Sequence, residues 1–118
     1  MRIAVATDRD CVAAGFGCAP FCTIVEIEDG RIRQTLLIPN AGGNHQYWAD
    51  LFFRNSIHVI LAGSMGTTAR SIMLGLGIRP ILGVEGPVDE AVQRFLAGEL
   101  EGAHEPTHGS LSAAGRCA

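Results

Sequence analysis

Lysine is missing from this sequence of 118 residues: its nine basic residues are all arginine. A phosphate loop of the Walker type needs a lysine after its glycines, which counts against nucleotide binding of that kind. No apolar run approaches the ~20 residues that cross a bilayer. The opening stretch, MRIAVATD, enters a strand-like alternation at once and has no long apolar signal core, so a cytoplasmic location is expected. A basic stripe is also lacking, and the net charge of −3 argues against a nucleic-acid footprint. The four cysteines form no C-x2-C pair, the spacing of a structural zinc site, and in a reducing compartment they are expected as thiols.

The composition that remains is 47% hydrophobic and 18% charged, enough for one well-sized core. Residues 3–7 (IAVAT) are short, apolar and β-branched, and read as a buried strand ending at Asp8. Residues 8–20 read as a loop. A second strand over 21–28 and a third over 32–38 flank "EDGR", whose Asp-Gly suits a hairpin turn. "PNAGGN" then breaks the pattern, and the period changes from two to 3.6. Asn44 caps a helix carrying Trp48, Leu51 and Phe52 on one side. Residues 57–62 form a fourth strand, and "GSMGTT" leads into a helix with Ala69, Ile72, Met73 and Leu76, stopped at Gly77. A fifth strand over 79–84 precedes a helix opened by Pro87 and ended by Gly98. The order βββαβαβα predicts a five-stranded mixed sheet flanked by helices, an α/β domain over residues 1–98. Residues 99–118 lack periodicity and read as a flexible tail.

In such a sheet, ligands gather at the carboxyl ends of the parallel strands. The segments expected there are 8–18, 39–45, 63–68 and 83–86, and all are glycine-rich. Glycine lets backbone N–H groups approach a ligand, and helix N-termini attract negative charge, so this rim suits an anion. The ribonuclease-H-like fold shares the βββαβα order, but its two-metal chemistry needs clustered carboxylates. Here Asp8 ends the first strand while the fourth ends in Ala62, Gly63 and Ser64, so that reaction is not expected.

Soft ligands are present instead. Cys11, Cys18, Cys22, His45 and Met65 lie in or beside the rim, and thiolate, imidazole and thioether favour copper, zinc and iron–sulfur species. Each also has a plain structural reading. Cys22 is the second residue of a strand and fills core space; Cys18 and Cys11 are incidental thiols; Met65 packs under a helix; His45 decorates a helix start. His58 reads as a hydrogen-bonded structural residue. His104 and His108 form an H-x3-H pair, but Pro106 between them opposes a helix, and Cys117 reads as a spectator.

The stretches "MRIAVATD", "FGCAPFCTIVEIEDGRI", "IPNAGG", "VILAGSMGTTA" and "GIRPILGVEGPVDEAVQRFLAGEL" resemble the dinitrogenase iron–molybdenum cofactor biosynthesis family. That family includes nitrogenase accessory proteins of the NifX type and the C-terminal region of NifB, and the similarity runs over residues 1–101. The resemblance implies a ribonuclease-H-like domain that carries a molybdenum-containing metal–sulfur cluster, with iron or with copper, and is no enzyme. It also implies proteins that donate or accept the cluster. The residues it brings to the cluster are Asp8, Arg9, Gly15, Phe16, Gly17, Asn40, Gly63, Ser64, Met65, Gly66, Thr67 and Arg70. Cys18 and His45 come first as metal ligands, and Cys11 and Cys22 behind them. Many members have histidine just before Phe-Gly, where this chain has Gly15. Cys11 or Cys18 then replaces that ligand, His45 reaches in from the other loop, or the cargo is held without a bond. A small interaction or regulatory domain that has lost cluster binding is the alternative.

Overall fold

The computed structural model describes residues 1–40 and 45–100. The proposed cap Asn44, and His104, His108 and Cys117 in the tail, lie outside the described residues.

Apolar, β-branched runs become strands where expected: β1 (Arg2–Asp8), β3 (Phe21–Glu28), β4 (Arg31–Pro39), β5 (Ile57–Leu61) and β6 (Arg79–Ile81). The predicted count of five is corrected by β2 (Cys11–Val12), a two-residue strand inside the expected loop, which makes the sheet six-stranded. Arg9 takes a φ of 60°, which turns the chain sharply enough for Cys11 and Val12 to pair back onto Asp8 and Thr7. The main path runs β4-β3-β1-β5-β6. β1, β5 and β6 are parallel, and β3 is antiparallel to both β1 and β4. β4 therefore runs in the same direction as β1 and ends at the same rim.

Side chains alternate across the sheet, so each strand feeds two cores. Ala4, Ala6, Cys22, Ile24 and Ile60 pack beneath α1 (His45–Arg54) and α2 (Thr67–Gly75) with Trp48, Phe52 and Met73. Ile3, Val5, Val25, Val59 and Leu61 pack against α3 (Val88–Leu96) through Ala91, Val92 and Phe95. Leu100, placed in the tail by the sequence, is 3% exposed in this second core, so the packed unit continues past residue 98.

Both later helices end as the glycine signals predict. Gly77 (φ 80°) donates to the Leu74 carbonyl while Ile78 donates to Met73, and Gly98 and Glu99 repeat the pattern on Phe95 and Arg94. α1 ends differently: Ser56 occupies the left-handed region at φ 54°. A side chain there costs roughly 1 kcal/mol that glycine avoids. Ser56→Gly is expected to raise the melting temperature by roughly 4 °C or more, as about 1 kcal/mol does for a domain of this size, measured by calorimetry.

Candidate functional site

The carboxyl rim is assembled by backbone hydrogen bonds between loops distant in sequence. β2 lies between β1 and the segment before α3: the Val12 N–H donates to the Gly86 carbonyl at 2.9 Å and the Val88 N–H to Asp10 at 2.9 Å. The loop after β2 then crosses the end of β5. The Gly63 N–H donates to Ala13 (3.0 Å), the Phe16 N–H to Ser64 (2.9 Å), and Ser64 Oγ to the Ala14 carbonyl (2.8 Å). On the far side, the Gly83 N–H donates to Gly63 at 2.9 Å. Thus the segments around residues 14, 64 and 84 form one continuous floor.

Gly63 is required by this contact. A Cβ there would stand 2.6 Å from the Ala14 carbonyl oxygen, a backbone atom that cannot move aside cheaply. Phe16 anchors the same loop from below. It is 3% exposed, with ring centroids 6.3 Å from Trp48 and 6.1 Å from Phe52. Aromatic burial of this kind holds the flanking Gly15 and Gly17 at the surface. Asn40, expected at the ligand, closes the loop instead: its Nδ2 donates to the Ala19 carbonyl and its N–H to Pro20.

Gly83 (φ 79°) and Gly86 (φ 94°) occupy the left-handed region, whereas Gly15, Gly17 and Gly66 have no such explanation. Gly66 has φ −66°, and neither Gly15 nor Gly17 lies in the left-handed region. A Cβ at Gly17 or Gly66 would meet nothing within 4 Å, and one at Gly15 only Ser64 Oγ at 3.7 Å. Gly66 also caps α2 without a side-chain hydrogen bond, and no acidic residue occupies the first turn. The first N–H groups of α2 therefore face the rim beside the exposed Thr67 and Thr68. Thr68 is not singled out by the sequence reading, although the "GTT" that begins the helix signals it.

The sulfur residues separate. Cys18 is an exposed free thiol. Cys22 is 2% exposed beneath α1, and burial pushes its thiol up to about 12 from an ordinary 9.0, against a smaller lowering by the hydrogen bond with the Val5 backbone. Cys11, expected as a thiol, is disulfide-bonded and 8% exposed. Met65 is half-buried against the α1–α2 core. His45 begins α1, and its side chain lies outside the described residues. Among the described residues no three His, Cys, Asp or Glu side chains converge on one point. Asp8 and Arg9 are exposed at the end of β1 and Arg70 is half-buried on α2; both arginines are already engaged in interactions. His58 accepts the Arg2 N–H at 3.3 Å, at the other end of the sheet.

Comparison with known proteins follows this geometry. A sequence model of the family described as "Dinitrogenase iron-molybdenum cofactor" matches residues 1–98. An uncharacterized protein of Methanocaldococcus jannaschii, MJ0580, is 30% identical over 106 residues, covering 86% of this chain and 90% of its own. Among solved structures, the apo form of the orange protein from Desulfovibrio gigas is 27% identical, with a TM-score of 0.75 over 90% of this chain and 95% of that one. The crystal structure of PH0822 superposes with a TM-score of 0.78 at 22% identity, over 84% and 91% of the two chains, which shows the fold.

The two free thiols among the described residues should differ sharply. At pH 8, alkylation followed by mass spectrometry is expected to label Cys18 rapidly and Cys22 only on unfolding. Because the folded state holds the Cys22 proton more tightly than the unfolded chain, the stabilisation is complete below pH ~9. It is lost as pH rises from there toward about 12. Cys22→Ala should flatten that alkaline decline. Cys18→Ala should not change it.

Proposed function

Because this chain belongs to the dinitrogenase iron–molybdenum cofactor family, we propose that it binds and hands on an anionic metal–sulfur cluster at the glycine rim, in the cytoplasm, without catalysing a reaction. The cargo is molybdenum combined with iron or with copper in a sulfide cluster. The observation that carries this reading is the set of Gly15, Gly17 and Gly66, which the backbone does not require. Glycine in such a place costs roughly 0.5–1 kcal/mol in chain entropy. What it provides is room beside backbone N–H groups, and a bulky sulfide cargo needs that room.

Several features support the reading together. The uncapped first turn of α2 offers N–H groups to negative charge, an interaction of about 0.3–1 kcal/mol at a surface. Cys18 is the exposed soft donor, and His45 begins the helix that follows the 39–44 loop. Cys18 and His45 are the proposed ligands, with Cys11 and Cys22 less suited by their disulfide and burial. Asp8, Arg9, Ser64, Met65, Thr67 and Arg70 border the cargo, while Phe16, Asn40 and Gly63 hold the loops that receive it. A mixed sheet with β1, β5 and β6 parallel and the β3–β4 hairpin on one side supports the reading of a ribonuclease-H-like domain. Cluster donor and acceptor proteins follow as partners. A second reading, an interaction domain without cargo, is favoured by Gly15 standing where the family resemblance leads one to expect histidine and by the missing three-ligand group among the described residues.

Anaerobic reconstitution with thiomolybdate and copper(I), and separately with isolated iron–molybdenum cofactor, distinguishes them. The first reading predicts a stoichiometric coloured complex with at least one of these. Cys18→Ala should weaken it at least tenfold, and Gly15→His, whose side chain has space at the rim, should strengthen it. Failure of the parent to take up either cargo would favour the second reading.

A further inference from the structure

Three of the four cysteines lie among the described residues. Cys18 and Cys22 are free thiols, whereas Cys11 is disulfide-bonded. The fourth cysteine of the sequence is Cys117, outside the described residues. A bond made within one chain therefore leaves Cys117 as the partner of Cys11.

We infer that Cys11 and Cys117 form a reversible disulfide, a redox-operated clasp that ties the segment after Leu100 to the rim. Placement supports it. Cys11 pairs with Asp8, the last residue of β1, and bridges Pro87 at the head of α3. Leu100 lies just past the opposite end of α3 and is buried in the core that this helix covers. The clasp has to bridge about the length of β1, ~23 Å at ~3.3 Å per residue. The chain from Leu100 to Cys117 reaches as much as ~56 Å when extended. The connection closes with slack, so it asks no distortion of β2. That strand is in turn held on the side of α3, where the Val12 N–H donates to Gly86 and the Val88 N–H to Asp10. Opening the clasp therefore frees the segment after Leu100 while the floor of the rim keeps its hydrogen bonds.

Chemistry gives the bond its role. In a reducing compartment disulfides are uncommon, and those that form are usually transient or redox-sensing. The clasp opens by exchange with a dithiol. One thiolate of the dithiol attacks a sulfur of the pair, breaking the Cys11–Cys117 bond and forming a mixed disulfide. The second thiol of the reagent then displaces the mixed disulfide, so the reagent leaves oxidised and both cysteines end as thiols. Two electrons and two protons pass from the dithiol to the clasp. Closing is the reverse exchange, with a disulfide such as oxidised glutathione as the oxidant. Neither direction involves the rim's cargo, so the clasp stands apart from that reading.

The full chain, prepared without reductant and then denatured, should take up two alkyl groups, at Cys18 and Cys22, and four after dithiothreitol. Trypsin should release residues 10–31 with the dipeptide Cys117–Ala118 attached through Cys11. Because the bond closes a loop of about 100 residues, dithiothreitol should lower the melting temperature of the parent by roughly 10 °C. Cys117→Ala should melt at the lowered temperature from the start and ignore the reagent. Folded parent equilibrated in glutathione buffers, then denatured and alkylated, should pass from four labels to two and back as the ratio of reduced to oxidised glutathione changes. Four labels without reductant overturn the proposal. So does a bond from Cys11 to Cys18, to Cys22 or to a second chain, or a clasp that stays closed in the folded chain at every glutathione ratio.

Discussion

The rim depends on the contact between Gly63 and the Ala14 backbone. β5 can end directly beneath the 13–16 loop only because residue 63 has no side chain, a methyl there lying 2.6 Å from the Ala14 oxygen. That close approach lets Gly63 donate to Ala13 and Ser64 bond both Phe16 and Ala14. These bonds set Gly15 beside Ser64 and leave Gly17 and Cys18 on the exposed part of the loop. Phe16 locks the arrangement from the core side through Trp48 and Phe52. The loops of this surface are thereby held in one geometry, which the proposed carrier role needs if a cargo is to find the same donors each time.

Much of this was legible in the order of residues, and the parts that were not share a cause. Strands with continuous apolar runs, such as IAVAT and IHVIL, and helices with clear 3.6-residue periods announce themselves locally. So do the helix stops at Gly77 and Gly98, because the Schellman pattern is a property of a few adjacent residues. β2 escapes such reading. Two residues carry no period, and the strand exists because Thr7 and Asp8 on one side and Gly86 and Pro87 on the other hold it. Asn40 is the same case in the site. Its side chain serves the Ala19 carbonyl, a partner 21 positions away that spacing cannot disclose. Leu100 falls in a stretch without pattern yet fills the α3 core.

The cysteines show how burial sorts residues that composition treats alike. Four thiol-bearing positions in a glycine-rich chain suggest soft-metal chemistry as a set. In the fold, Cys22 points under α1 and holds its proton far above neutral pH, so it behaves as a small apolar residue. Cys18, four residues earlier on the open loop, is exposed. In the proposed reading, the cargo's negative charge would be met mainly by backbone N–H groups, in keeping with a chain whose net charge is itself negative. Asp8 and Asp10 near the rim show that formal positive charge is not what distinguishes it.

The central claim is that glycines spared any backbone duty make space for a sulfide-rich anion against backbone amides. Amide nitrogen–proton correlation spectra, recorded anaerobically as thiomolybdate and copper(I) are added, test it directly. The account predicts that the signals of Gly15, Gly17, Cys18, Gly66 and Thr67 move together and saturate at a fixed ratio. Shifts confined to other parts of the chain, with these five unmoved, would contradict it.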